Sequence, residues 1–137
     1  MQELDARVSN TILHSQPIIN WVHVPNPSPR FYNRKSEFLQ KHQAIELYST
    51  QESSVYSRIF GLRDHQPTIL VYDWTRDKSP NSHYNLLTNI IHGEIQSDGD
   101  VLTFKPPHLI VFAKIIPDTK YHIKKSYLNI IHLDNIE

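Results

Sequence analysis

The sequence predicts a three-layer α/β domain built on a largely parallel sheet, and three observations predict it. Ile69-Leu70-Val71-Tyr72 and His108-Leu109-Ile110-Val111-Phe112-Ala113 are unbroken apolar runs, too short for helices and lacking the alternation of a half-exposed strand. Such runs belong to strands covered on both faces, as in parallel sheets. Strand-like and helix-like stretches also alternate along the chain, as in repeated βαβ units. Finally, 137 residues with 39% hydrophobic content suit one domain with a modest core.

Residues 1–17 read as an appended helix or tail, and 18–137 as the domain. Ile18 to Val24 is rich in β-branched and aromatic residues and stops at Pro25, so it reads as the first strand. Pro25, Pro27 and Pro29 then alternate with Asn26 and Ser28. Each proline fixes φ and removes a backbone donor, which predicts irregular chain until about Tyr32. Phe38, Leu39 and His42 recur at helical spacing and predict a helix over 34–42. Ala44 to Tyr48 reads as a second strand, and Val55, Ile59, Phe60 and Leu62 as the apolar points of a helix ending near Gly61. After the strand over 67–73, Ser79 resembles an N-cap with Pro80 at the first helical position. Tyr84, Leu87, Ile90 and Ile91 keep a helical period until Gly93. A short strand over 102–104, an apolar strand over 108–113, a basic turn or short helix over 119–128 and a last strand over 129–133 complete the chain. Trp21, Phe38, Val71, Phe112 and Ile131 are expected in the core.

Composition narrows the chemistry. Lysine plus arginine and aspartate plus glutamate each number 14, so a polyanion must be held by a local patch and not by net charge. The absence of cysteine excludes disulfides, thiolate zinc sites and a thiol nucleophile, and fits an intracellular, reducing compartment, nuclear or cytoplasmic. No apolar run approaches the ~20 residues of a membrane span, so no membrane partner is expected. The nine histidines show neither zinc-helix spacing nor a His-Glu motif, and no Gly-x-Ser-x-Gly elbow holds a serine.

In parallel sheets functional groups gather at the carboxyl ends of strands. The exits here carry Lys35-Ser36 after the first strand, Asp73 closing the third and Lys114 after the fifth. A Lys-Ser pair opening a helix, with a carboxylate closing a neighbouring strand, is how P-loop proteins bind nucleotide and magnesium. The flanks sharpen this. Ile19-Asn20-Trp21-Val22, then Asn33-Arg34-Lys35-Ser36-Glu37-Phe38, then Ile69 to Arg76, and above all Phe104-Lys105-Pro106-Pro107-His108 to Ala113 with Pro117-Asp118 following, resemble a known family. It is the superfamily 3 helicase domain of replication-associated (Rep) proteins of small circular single-stranded DNA viruses, of the nanovirus and alphasatellite kind. The resemblance covers about residues 18–134.

That resemblance implies an AAA+-like P-loop core and an ATP- and Mg2+-dependent motor that unwinds nucleic acid in rolling-circle replication. It implies Arg34, Lys35 and Ser36 at the nucleotide, Ser36 and Asp73 at the metal, and Asp73 and Lys114 at the catalytic positions. Single-stranded DNA or RNA is the implied partner, met by Lys105, Lys120, Lys124 and Lys125, and family members assemble as rings.

The departures from the family pattern are chemical. Set out as Gly-x-x-x-x-Gly-Lys-Ser, the phosphate loop reads Pro29-Arg30-Phe31-Tyr32-Asn33-Arg34-Lys35-Ser36. Both glycines are replaced, although the loop's backbone must approach the phosphates closely. Lys114 stands where motif C ends on asparagine, and Lys124-Lys125-Ser126-Tyr127 replaces the arginine-finger segment. The expectation is impaired hydrolysis, because positioning and electrostatics supply nearly all of phosphoryl-transfer catalysis. The alternative is a non-catalytic nucleic-acid-binding or self-associating module derived from such a domain. The plainer readings also stand: Lys35-Ser36 as a solvated helix face, Asp73 as a turn residue, Arg76 as a surface ion-pair partner of Asp73 or Asp77.

Overall fold

The computed structural model describes residues 17–62, 64, 69–76, 83–117 and 127–133. In chain order the elements are β1 (Ile19–His23), α1 (Pro29–His42), β2 (Ile45–Leu47), α2 (Glu52–Gly61), β3 (Ile69–Trp74), α3 (Tyr84–Ile91), β4 (Glu94–Ser97), β5 (Asp100–Thr103), β6 (His108–Ala113) and β7 (Leu128–His132). Five strands form one sheet in the order β2-β3-β6-β1-β7. Every pairing in it is parallel. The expected three-layer α/β architecture is therefore present, with helices on both faces.

Burial explains the unbroken apolar runs. All six residues of β6 are buried, because β6 lies inside the sheet and each of its faces meets a packed layer. On one face Val22, Val71, Ile110 and Phe112 pack against Phe31 and Phe38 of α1. On the other, Trp21, Tyr72, Trp74 and Val111 pack against Val55 and Ile59 of α2 and against Leu87, Ile90 and Ile91 of α3. The five residues expected in the core, Trp21, Phe38, Val71, Phe112 and Ile131, are all buried.

The largest departure from expectation is the start of α1. The segment expected to stay irregular to about Tyr32 is helical from Pro29. Ser28 is the N-cap, accepting a hydrogen bond from the Phe31 amide at 3.3 Å, and Pro29 occupies the first helical position. Proline is tolerated there because that amide has no intrahelical acceptor to lose and its φ is already helical. The proline that seemed to forbid regular structure thus opens it.

A second departure is a separate antiparallel hairpin of β4 and β5, of which only a strand near 102–104 was expected. Asp98 and Gly99 turn it with φ of 50° and 85°. Both left-handed positions match the Asp-Gly preference of a type I′ turn. Gly93, ending α3 at φ +76°, must be glycine, since a Cβ there would lie 2.2 Å from the Phe104 carbonyl oxygen. The Ser79-Pro80 helix start and the basic 119–126 stretch lie outside the described residues, and α3 begins at Tyr84.

Candidate functional site

The chain leaving β1 runs to β2, and the chain leaving β6 runs to β7, in opposite directions along the sheet. The carboxyl ends of β1 and β6 therefore form a topological switch point, the usual place for a ligand crevice in open α/β sheets. β6 separates β1 from β3, so the three strands whose exits were singled out are adjacent and parallel.

Lys35 sits on the second turn of α1 and faces the sheet. Its Nζ donates to Asp73 Oδ2 at 2.7 Å and to Glu46 Oε2 at 3.0 Å. The three side chains are only 12–14% exposed. Strand parity explains the meeting. Asp73 shares the α1 face of β3 with Ile69 and Val71, while Glu46 points away from the apolar layer that takes Ile45 and Leu47. The second Asp73 oxygen, Oδ1, accepts from the Thr75 amide at 3.0 Å and from Thr75 Oγ1 at 2.6 Å. Tyr32 Oη lies 3.0 Å from the same Thr75 hydroxyl. Asp73 is thus both an ion-pair partner and the turn residue of the plainer reading.

These contacts set the protonation states. Burial alone would lower the Lys35 pKa, but the hydrogen bonds and charges of Asp73 and Glu46 outweigh it and raise the value above the ordinary lysine range. Burial alone would raise the Asp73 pKa, and the bonds from Lys35 and Thr75 outweigh it and hold the carboxyl below its ordinary range. Lys35 and Asp73 are therefore a charged pair at neutral pH.

A cleft of about 270 Å³ opens over the cluster, lined by Tyr32, Lys35, Glu46, Leu47, Tyr48, Asp73 and Arg76. Arg76 lies over the Tyr32 ring, 5.0 Å from its centroid. Its guanidinium is a cation over the ring face and does not take the Asp73 carboxylate, where Lys35 stands instead.

The segment aligned with a phosphate loop has no loop geometry. Residues 33–36 lie inside α1, where amides bond to the carbonyl four residues earlier. In the first turn Pro29 has no donor, the Phe31 amide is capped by Ser28 Oγ, and the Tyr32 amide donates to the Ser28 carbonyl at 3.2 Å. Little of the anion-binding capacity of a helix start is left.

The other expected site residues scatter. Ser36 is exposed, one position round the helix from Lys35, and is not brought to Asp73. Arg34 faces Glu37 at 3.8 Å across one helical turn. Lys114 is exposed just beyond β6, its carbonyl accepting from His23 Nε2 at 3.0 Å. Lys105 lies three residues before β6 and Lys114 directly after it, so the whole strand, about 20 Å at ~3.3 Å per residue, stands between them. Lys120, Lys124 and Lys125 lie outside the described residues. Among the described residues no group of three His, Cys, Asp or Glu is placed to hold a metal.

Glu46 and Tyr32 were not anticipated. The signal for Glu46 was a lone carboxylate inside the apolar strand Ala44-Ile45-Glu46-Leu47-Tyr48, since a half-buried charge demands a partner. Searches among protein-family models and among curated proteins find no match to this chain.

Proposed function

We propose that this chain is a Rep-like superfamily 3 helicase domain that has lost ATP hydrolysis and works as a non-catalytic binding module. The observation that carries the reading is the double ion pair of Lys35 with Asp73 and Glu46 beneath a helix that already begins at Pro29. In a working phosphate site lysine meets the β/γ-phosphates and the acid completes the shell of magnesium. Here the two neutralise each other. A triphosphate entering the cleft would meet two carboxylates, a lysine already engaged, and no backbone cradle. The residues therefore do not fit ATP with Mg2+.

The Rep-like part of the reading rests on the sequence resemblance, supported by the layout of the sheet. The strand before Lys114, β6, lies between β1, which precedes the phosphate-loop segment, and β3, which carries Asp73. The partner proposed is single-stranded DNA or RNA, drawn by Lys105, Lys120, Lys124 and Lys125.

The test is nucleotide titration by calorimetry together with a phosphate-release assay. The expected result is no Mg2+-dependent hydrolysis above background, with Lys35→Ala changing nothing in that assay. Mg2+-dependent turnover abolished by Lys35→Ala would overturn the proposal. For the binding role, labelled single strand is expected to shift in a salt-dependent way and to lose affinity when Lys120, Lys124 and Lys125 become alanine. Equal affinity in that variant would remove nucleic acid from the reading. Sedimentation is expected to show no nucleotide-dependent ring.

A further inference from the structure

His23 ends β1 and His132 ends β7, and the two strands are parallel neighbours in a register that places these residues side by side. Their Nδ1 atoms are 3.1 Å apart and the rings are nearly perpendicular, with an interplanar angle of 88°. The Nε2 of His23 bonds to the Lys114 carbonyl at 3.0 Å. A carbonyl only accepts, so that Nε2 carries the hydrogen and the His23 Nδ1 holds a lone pair directed at His132. The pair is braced from both sides. The amide of Val24 donates to Ala113 at 2.7 Å and that of Leu133 to His23 at 2.9 Å, so the backbone beneath both rings is held by the sheet.

We propose that His23 and His132 form a two-nitrogen site for a borderline divalent cation of the Zn2+, Ni2+ and Cu2+ class. Metal–imidazole bonds of 2.0–2.1 Å place two adjacent ligand nitrogens roughly 2.9–3.4 Å apart, a range that contains the observed spacing. The Lys114 carbonyl on the far nitrogen is the second-layer arrangement that fixes a ligand histidine's tautomer and orientation. In the metal-free pair His132 Nδ1–H donates to His23 Nδ1. The cation would sit to one side of the line joining the two nitrogens, the rings turning to aim both Nδ1 lone pairs at it, while the His132 hydrogen moves to Nε2, so no net proton leaves. His132 is exposed and His23 half-buried, which leaves room for water at the remaining positions. Hard cations such as Mg2+ prefer oxygen and are excluded by the donor set. The site lies at the carboxyl ends of β1 and β7, beside the switch point, and is separate from the Lys35 cluster. It stands or falls independently of the nucleotide reading.

The test is calorimetric titration of the whole chain with each metal ion alone. One site is expected, strongest for Cu2+, weaker for Zn2+ and Ni2+, weaker still for Mn2+ and absent for Mg2+. His132→Ala and His23→Gln are each expected to weaken Zn2+ binding at least tenfold, with His83→Ala unchanged. Electron paramagnetic resonance of the Cu2+ form should report two imidazole nitrogens. The exposed position of His132 makes its variant a fair probe of the site and not of folding, which circular dichroism checks. Zn2+ binding that survives His132→Ala at full strength, or no binding of Cu2+ or Zn2+ at millimolar metal, overturns the proposal.

Discussion

On the face of the sheet covered by α2 and α3, the buried cluster is apolar apart from the polar atoms of its aromatic residues, two of which backbone carbonyls satisfy, and the His23–His132 pair stands at its carboxyl rim. Trp21 Nε1 donates to the Ile115 carbonyl at 2.8 Å, and the Tyr72 hydroxyl to that of Ser49 at 2.8 Å. Burial pushes the Tyr72 hydroxyl far above the ordinary tyrosine pKa, so it stays a neutral donor. On the α1 face, Asn20, Glu46, Asp73 and Lys35 interrupt an otherwise similar layer of Val22, Val71, Ile110 and Phe112. Asn20 Oδ1 accepts from Asn129 at 3.0 Å, while its Nδ2 is buried with no partner among the described residues. The contrast teaches where selection for something other than packing acted. A buried charge is weak evidence of stability, since well-packed apolar residues of similar volume often do as well or better. The α2/α3 face is an apolar core with a histidine pair at its rim, and the α1 face is a core with a charged cluster set into it.

The comparison can be broken from either side. Trp21→Ala on the apolar face removes a fully buried side chain packed edge-on to Trp74 and Tyr84. It should cost roughly 3–5 kcal/mol in urea denaturation. Lys35→Met on the α1 face leaves Glu46 and Asp73 without their cation, and should cost roughly 2–4 kcal/mol, less than a wholly buried pair because the cluster keeps some exposure. Adding Asp73→Asn and Glu46→Gln to that variant should return most of the loss. If Lys35→Met alone is neutral, the cluster is solvated and the contrast between the faces dissolves.

Titration sharpens the same contrast. The raised Lys35 pKa contributes stability that is present below the ordinary lysine value and lost only as pH climbs past the folded one. The lowered Asp73 pKa contributes stability present above the ordinary aspartate value and lost as pH falls through the folded one. Neither gives a slope between pH 5 and 8. His108 does. It opens β6 on the α1 face, is buried with Nδ1 unpartnered among the described residues, and burial lowers its pKa. Its neutral form is favoured by folding, so stability should fall as pH drops below about 6.5, the unfolded histidine value. Denaturation midpoints at pH 7.5 and 5.5 should differ in that direction, and His108→Leu should reduce the difference. Smaller still, Ser28→Ala removes the cap of α1 and should cost about 1 kcal/mol. Tyr48→Ser, at a residue 85% exposed on the rim of the cleft, should shift stability by under about 0.5 kcal/mol.

Much of the architecture was legible because burial leaves a periodic mark. The unbroken runs at 69–72 and 108–113 are interior strands, and the short helix over 52–61 ends at its glycine as expected. The hairpin was legible in principle, since Asp98-Gly99 carries its turn signal. The α1 start was ambiguous, because proline stops regular structure at most positions and favours it at the first helical one. Ser28-Pro29 carries the same cap signature as Ser79-Pro80, and only the first of these falls within the described residues.

Sequence alone determined the three-layer α/β class, the strands that lie buried and the candidacy of Lys35 and Asp73, because hydrophobic periodicity and residue chemistry are local properties. Tertiary structure decided what those residues do. Lys35 and Asp73 are 38 positions apart in the chain, and no local pattern says whether they flank a ligand or close on each other. The parallel register, the helix beginning at Pro29 and the facing of Glu46 bring ammonium and carboxylates into direct contact. His23 and His132, 109 positions apart, likewise meet only because β1 and β7 are neighbours in the sheet. Side chains at the ends of adjacent parallel strands converge whatever their separation in sequence, so the sites of this protein are products of strand order.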